Sequence, residues 1–368
     1  MLMTYFKLNP GVFLIVGKQK SLIQDVVEEK IFWIENNFAE MIKRGENGSF
    51  FKNEELHLLK SFFSKYSSLG TFSDKPIFID KFRPINIYNE KKLHKNTPFL
   101  RTATLQISNE CNLSCNFCST SFCPSCKIIK EDPEALSFEE WLTVVDQLAS
   151  YGVSTILLTG GEAAISPFFK DLVRYILNKG ISLSVHTNGF LKSQQIPQEV
   201  HLIVSLFESD SLNAIVRKYR NHHLTTAILY SCNNKVRPSI IPASWQVKFS
   251  RTSPLPITKQ SMVNTDFDSF FSRKMTDNCL DEKLLISYNG NVYPCMGFKQ
   301  KVGTVYGNQL HLAIRTLLTN YWKKNSDHRS GKCQQCEFRY ACNACSFFDL
   351  EFCQYNVEEG QWISSLNE

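Results

Sequence analysis

Five cysteines fall within sixteen residues: Cys111, Cys115, Cys118, Cys123 and Cys126, in the stretch SNECNLSCNFCSTSFCPSC. The first three have C-x3-C-x2-C spacing, one thiolate fewer than a closed four-ligand site needs. Thiolates are soft donors that select zinc, copper(I) or iron–sulfur clusters. Three of them can hold three corners of a cubane and leave one iron open to a small chelating molecule. Taken alone, the same triad also fits a zinc site. A second group comprises Cys279, Cys295, Cys333, Cys336, Cys342, Cys345 and Cys353, with Cys232 alone between the groups. The gap between the pairs Cys333-Cys336 and Cys342-Cys345 is short for structural zinc, which usually separates its pairs by a longer loop. Seven ligands exceed one four-ligand site and fall one short of two.

The elements around the first triad place it. The run 103–108 reads as a strand that delivers Cys111. The helix 137–152 follows, with Ser137 and Glu140 spaced as a capping box. A buried strand, 153–162, ends in Gly160-Gly161-Glu162. The alternation continues with helix 166–178, strand 181–189, strand 201–208, helix 209–218 and strand 224–230, and β-like runs at 236–241 and 246–250. Such repeats imply right-handed βαβ units and a parallel sheet. About six units make a partial barrel, with the cysteine loop at the carboxyl end of its first strand, where ligands bind in such folds.

The flanks differ. Residues 1–95 hold no cysteine and begin with β-like runs at 4–8, 12–17 and 30–36, then helical stretches near 37–45 and 53–66, a small α+β module. The polar stretch 84–98 reads as a linker. Beyond 266, the segment 283–295 reads as a hairpin turning at Asn289-Gly290, and 310–323 as helical. The stretch 333–353 has too little apolar periodicity to fold alone, so metal is expected to hold it. The expected division is 1–95, 96–265 and 266–368.

With 368 residues, 43% of them hydrophobic and 28 of them Phe, the chain has ample material for a core. A net charge of +6 without a dense basic stripe argues against a nucleic-acid partner. The apolar run 11–16 is too short to span a bilayer and no cleavage site follows it, so the expected compartment is the cytoplasm, without a membrane partner. Disulfides are rare there, which returns the thirteen cysteines to metal or redox chemistry.

With C-x3-C-x2-C and an aromatic, Phe117, just before its third cysteine, the chain resembles the radical S-adenosylmethionine (radical SAM) superfamily. The resemblance implies a [4Fe–4S] cluster on Cys111, Cys115 and Cys118, whose open iron chelates S-adenosylmethionine and cleaves it to a 5′-deoxyadenosyl radical. By the same resemblance, Gly160, Gly161 and Glu162 meet the methionine ammonium, and Thr187, Asn188 and Ser205 contact ribose or carboxylate. Ala163 stands where the family often has Pro. The second cysteine group resembles the SPASM domain of radical SAM enzymes that modify peptides. That likeness implies two auxiliary [4Fe–4S] clusters, one on Cys279, Cys295 and Cys345, the other on Cys333, Cys336, Cys342 and Cys353. The x2 gap at Cys342–Cys345 departs from the usual x3.

The fold class expected is therefore α/β: a partial (β/α)6 TIM-type barrel, an N-terminal winged-helix-like module and a C-terminal iron–sulfur SPASM domain. The N-terminal order is similar to the recognition element that takes a leader peptide as an added strand. The whole plan resembles the maturases of grasp-with-SPASM systems. This implies a ribosomal precursor peptide as substrate, a flavodoxin or ferredoxin as reductant and an ATP-grasp ligase on the same peptide. The alternatives are a sulfatase-type formylglycine-forming maturase and a non-catalytic metal scaffold that binds peptides. No catalytic acid or base is singled out. Asp349 and Glu351 qualify only by location, Cys123 and Cys126 carry no required role, and Cys232 reads as packing.

Overall fold

A computed structural model describes residues 3–83, 100–115, 135–190, 196–207, 211–230, 237–250, 257–259, 262, 266–275, 280–298, 300–322, 331–342 and 353–363. The chain divides into two compact units, neither of them a continuous stretch. One comprises Met1–Glu90, Leu255–Cys279 and Lys324–Glu368; the other comprises Lys91–Pro254 and Leu280–Lys323.

The first unit begins with β1 (Thr4–Leu8), β2 (Val12–Val16), β3 (Lys20–Asp25) and β4 (Lys30–Glu35). Helix α1 (Asn36–Glu46), β5 (Phe50–Phe51), α2 (Asn53–Lys65) and β6 (Gly70–Ser73) follow. Strands β2, β3 and β4 form an antiparallel meander, with Leu14 opposite Ile23 and Ile23 opposite Phe32. Strand β1 lies between β5 and β6 in a second small sheet. Side chains alternate across the meander. Val12, Leu14, Ile23, Phe32 and Ile34 pack with Phe6, Ala39, Ile42, Leu59 and Phe63. Phe13, Ile15, Leu22, Ile31 and Trp33 face a different apolar cluster.

In the second unit β7 (Thr102–Gln106), β8 (Thr155–Thr159), β9 (Ser182–Thr187), β10 (His201–Phe207), β11 (Thr225–Tyr230) and β12 (Gln246–Ser250) pair parallel in chain order. Helices α3 (Phe138–Ser150), α4 (Phe169–Asn178) and α5 (Ser211–Tyr219) connect them. One sheet face is apolar: Leu105, Leu158, Val185 and Val204 share a core with Trp141, Leu172 and Val216 from the helices. The residues between them, Gln106, Thr159, His186 and Ser205, form the opposite, polar face and are also buried. This is the expected order of six parallel strands. The capping box of α3 is formed, Ser137 Oγ accepting from Glu140 N–H at 3.3 Å and Glu140 Oε2 from Ser137 N–H at 2.7 Å. The β-like run expected at 236–241 is no strand where it is described: Pro238 lies within it and Pro242 follows it, and Ile241 N–H donates to Pro238 O in a turn.

Beyond β12 the chain returns to the first unit with α6 (Phe267–Met275), then to the second with the hairpin β13 (Lys283–Ile286) and β14 (Asn291–Tyr293), followed by β15 (Gly303–Thr304) and α7 (Leu310–Leu317). The hairpin turns at Asn289-Gly290 as expected, with Gly290 at φ +77°. It also does something the sequence did not signal. Strand β13 pairs parallel with β7, so the hairpin extends the barrel sheet past its first strand.

The cysteine-rich end lies in the first unit, with the short pair β16 (Tyr355–Asn356) and β17 (Gln361–Trp362). Its support comes from the N-terminal sheet. Phe338, Tyr340, Tyr355 and Val357 pack with Ile15, Leu22, Phe270 and Phe271. Lys18 N–H donates to Gln335 O at 2.9 Å, and Arg339 Nη1 donates to Val16 O at 3.0 Å. No helix among the described residues is long and apolar enough to cross a membrane.

Helix α1 lies against β1 at Gly45, where a β-carbon would come within 2.8 Å of Phe6 O. In an open helix, Gly→Ala gains about 1 kcal/mol. Here Gly45→Ala should instead destabilise the first unit, read as a lower denaturation midpoint.

Candidate functional site

Three loops meet at the carboxyl ends of β7, β8 and β9. The first carries Ser108, Glu110, Cys111, Asn112 and Cys115; the second is Gly160-Gly161-Glu162; the third is Asn188-Gly189. Backbone bonds stitch the first two together. Ile107 N–H donates to Thr159 O at 2.9 Å, Gly161 N–H to Ser108 O at 2.9 Å and Glu162 N–H to Glu110 O at 2.8 Å. The approach is too close for side chains. A β-carbon on Gly160 would lie 2.3 Å from Ser108 O, and one on Gly161 would lie 2.1 Å from Glu110 O and 3.0 Å from the Cys111 β-carbon. Gly160 also sits at φ +153°, where L-residues are strained. Both glycines thus lie directly against the loop that bears Cys111.

Glu162 is 1% exposed. Its Oε1 accepts from Ala164 N–H at 3.2 Å, and its Oε2 accepts from Thr187 Oγ1 at 2.9 Å and from Asn188 N–H at 2.8 Å. Burial raises its pKa and is the largest influence; the bonds from Asn188, Ala164 and Thr187 and the charge of Lys218 pull the other way. Asn188 continues the chain of contacts. Its Nδ2 donates to Cys111 Sγ at 3.4 Å and to Asn112 Oδ1 at 2.9 Å. Thr187 Oγ1 also accepts from Gly189 N–H at 3.2 Å, and Lys218 Nζ donates to Gly189 O at 2.6 Å. The Tyr219 phenol, bonded to Thr187, is pushed up by burial and by the Glu162 charge.

The structure thus brings together Cys111, Gly160, Gly161, Glu162, Thr187 and Asn188, with Cys115 further along the first loop. Ser205 lies deeper, within β10, 3% exposed and 2.7 Å from His186 Nε2. Phe117 and Cys118 lie outside the described residues, as do Cys123, Cys126, Cys232, Asp349, Glu351 and the linker 84–98. Reading the sequence missed His186, Lys218 and Tyr219. His186 directly precedes Thr187-Asn188, and strand alternation places it on the polar face, a signal that was available. Lys218 and Tyr219 come from the end of α5, where nothing local marks them.

Of the second cysteine group, Cys333, Cys336, Cys342 and Cys353 lie in the first unit and Cys295 in the second, while Cys279 and Cys345 fall outside the described residues. Cys342 and Cys353 form isolated bridges with Met262 and Ile257. Burial pushes the Cys336 thiol up, and Glu337, Cys333 and Cys342 add to the shift. Those three cysteines are therefore electrostatic neighbours. Yet no three His, Cys, Asp or Glu side chains among the described residues converge closely enough to enclose one metal ion. The donor chemistry of the first site suits an iron–sulfur cluster: two soft thiolates on one loop, with an amide donor beside Cys111 Sγ.

Residues 105–208 match the radical SAM superfamily, so the chain carries the domain of a radical SAM enzyme. The chain is similar to the sporulation killing factor maturation protein SkfB of Bacillus subtilis, 43% identical over 88 residues, which are 24% of this chain and 20% of SkfB. It is also similar to an S-adenosylmethionine-dependent nucleotide dehydratase of Flammeovirga pacifica, 24% identical over 55% of this chain and 74% of that protein. A third relative is the antilisterial bacteriocin subtilosin biosynthesis protein AlbA of Bacillus subtilis, 31% identical over 25% of this chain and 19% of AlbA. The aligned part spans about a fifth of the length of SkfB and of AlbA. Among solved structures, Streptococcus suis SuiB bound to precursor peptide SuiA matches with a TM-score of 0.44 and 14% identity, covering 92% of this chain and 95% of that one.

Gly161→Ala should force the Cys111 loop away and lower iron content after anaerobic reconstitution by about four per chain. Glu162→Gln would set an amide N–H₂ against the Ala164 N–H or the Thr187 and Asn188 donors, and should cost about 1–3 kcal/mol. A carboxyl raised in the fold contributes stability that is complete below its ordinary value of 4.5 and is lost as pH rises through the raised one. The stability gap between the wild type and Glu162→Gln should therefore narrow as pH climbs above that value, as measured by denaturant titration across pH.

Proposed function

We propose that the chain is a radical SAM peptide maturase, which modifies or crosslinks residues of a ribosomally made precursor. The observation that carries the reading is the junction of three strand ends, where Cys111 is fixed by Gly161 and Asn188 at the carboxyl side of a parallel sheet. Cys111, Cys115 and Cys118 would hold a [4Fe–4S] cluster, and auxiliary clusters would fall to the second cysteine group. Reduced by one electron and with S-adenosylmethionine bound, such a cluster would supply reductive cleavage of the sulfonium to methionine and a hydrogen-abstracting 5′-deoxyadenosyl radical.

The chain's own residues do the positioning. Glu162 accepts three hydrogen bonds in this structure. A carboxylate offers about four acceptor sites, so Oε1 has capacity for one further donor, such as the methionine ammonium of S-adenosylmethionine. The backbone stitching of Gly161 and Glu162 to the 108–110 loop holds the thiolates in register with that carboxylate. The buried polar sheet face, with His186 and Ser205, supplies hydrogen-bonding groups behind the site.

Peptide as the substrate class is supported by the 43% identity to a protein named for maturing a killing factor and by the likeness to a bacteriocin biosynthesis protein. The N-terminal meander would serve as the peptide-recognition module, with a flavodoxin or ferredoxin as electron donor and an ATP-grasp ligase as partner on the same peptide.

Anaerobically reconstituted protein should carry about eleven to twelve irons per chain if three cubanes are present. Under dithionite it should release 5′-deoxyadenosine, and Cys111→Ala should not. Incubation with precursor peptides encoded near the gene should lower a peptide's mass by about two units for a crosslink, because two hydrogens leave. Zinc as the sole metal, or no 5′-deoxyadenosine, would overturn the radical reading. Release of 5′-deoxyadenosine with no change in any such peptide would overturn the peptide reading alone.

A further inference from the structure

Helix α5 sets its last turn against the third loop of the site. Ile215, Lys218 and Tyr219 follow i, i+3, i+4 spacing and so share one face of the helix. Each meets a different part of the loop. Ile215 packs on Gly189: a β-carbon there would come within 2.9 Å of Ile215 Cδ1, and Gly189 has φ +98°. Lys218 Nζ donates to Gly189 O at 2.6 Å. Tyr219, 1% exposed, bonds Thr187 through its phenol.

These contacts lead on to Glu162. Thr187 has one hydroxyl proton and gives it to Glu162 Oε2 at 2.9 Å. It therefore accepts in its other bonds, from Gly189 N–H at 3.2 Å and from the Tyr219 phenol. The phenol keeps its proton for this, because burial and the Glu162 charge push its pKa up. Asn188 N–H donates to the same carboxylate oxygen at 2.8 Å, and Asn188 stands between two residues that α5 holds. The Lys218 charge also works against the burial that raises Glu162. Lys218 is itself exposed, so removing its ammonium leaves no cavity in the core.

We infer that the last turn of α5 is a positioning element for the ligand at Glu162. Lys218 and Tyr219 hold the 187–189 loop, and through it the carboxylate, in the geometry that receives the methionine ammonium of S-adenosylmethionine, without touching the nucleotide themselves. Two links run from helix to carboxylate. One passes from Tyr219 through the Thr187 hydroxyl to Oε2. The other passes from Lys218 through Gly189 to the Asn188 N–H. The second link also reaches the cluster loop, since Asn188 Nδ2 donates to Cys111 Sγ at 3.4 Å. Loosening this loop weakens the hold on the ligand in ground and transition states alike, so it raises KM more than it lowers kcat. That the ligand is S-adenosylmethionine with its ammonium at Glu162 rests on the reading proposed above; the hold of the helix on the loop does not.

The first measurement is amide hydrogen exchange on the reconstituted full chain, without nucleotide or reductant. Lys218→Met should speed exchange in the segment 187–190 by about tenfold and leave the thermal unfolding midpoint unchanged, with Lys218→Arg restoring protection. The second is the S-adenosylmethionine dissociation constant of the same proteins by equilibrium dialysis, with KM and kcat for 5′-deoxyadenosine release under dithionite. Lys218→Met should raise Kd and KM by about tenfold and change kcat by less than about threefold, and Tyr219→Phe should raise Kd severalfold. In a Glu162→Gln background the loss from Lys218→Met should nearly vanish, because it acts through that carboxylate. Unchanged affinity in both Lys218→Met and Tyr219→Phe, or the full loss from Lys218→Met on top of Glu162→Gln, would overturn the inference. Weakened affinity with unaltered exchange would make Lys218 a ligand contact and overturn it as well. A wild type that neither binds nor cleaves S-adenosylmethionine, alongside faster loop exchange in Lys218→Met, would leave the hold on the loop standing and the radical reading fallen.

Discussion

The buried carboxylate of Glu162 is the joint on which the carboxyl end of the barrel depends. A carboxylate taken out of water costs several kcal/mol unless hydrogen bonds replace its hydration. Here the replacements come from two places: Ala164 in its own turn, and Thr187 and Asn188 at the end of the neighbouring strand. Each of these bonds lowers the cost of burial, yet burial still dominates the direction of the shift. The charge is therefore tolerated rather than favoured, and the donors cannot move without leaving it exposed to an apolar surrounding. That fixes Asn188, and Asn188 in turn reaches Cys111 Sγ. The cysteine loop is thus held twice, by the backbone at Gly161 and by a side chain that Glu162 immobilises.

A similar device recurs at the cysteine-rich end. Glu337 is 1% exposed and accepts from Trp33 Nε1 at 3.0 Å and from the Tyr355 hydroxyl. Trp33 belongs to β4 and Tyr355 to β16, so one carboxylate clamps the C-terminal segment to the N-terminal sheet. Burial raises both the Tyr355 phenol and the neighbouring Cys336 thiol, and the acid adds to each shift. The surroundings of Cys336 hence favour the neutral thiol. A bound cation would have to supply the charge that turns it into a thiolate, as coordinating metals do for thiols.

The barrel was legible because its signals are local and repeat. Alternating strands and helices, a capping box at Ser137 and Asn289-Gly290 at a tight turn each depend on a few neighbouring residues. The site residues Cys111, Gly161, Glu162 and Asn188 were legible because they end strands. Less was available elsewhere. Strand β3 went unread because four of the six residues of its sequence, KSLIQD, are polar; its buried Ser21 and Asp25 are bonded by Asn36 and by the N–H groups of Val27 and Glu28. The parallel pairing of β13 with β7 and the packing of Phe338 and Tyr355 on the N-terminal sheet join residues far apart in the chain. Periodicity within one segment carries no information about either.

The separation of chemistry from selectivity follows from what the relatives share. The region matched to the superfamily ends at residue 208, and relatives named for a killing factor and for a nucleotide dehydratase align with this chain alike. Residues that hold a thiolate loop against a Gly-Gly turn do not by themselves select a substrate. Choice must come from surfaces that such a core does not need. The N-terminal meander is built apart from the barrel's strands, its two apolar faces packed by residues of its own unit.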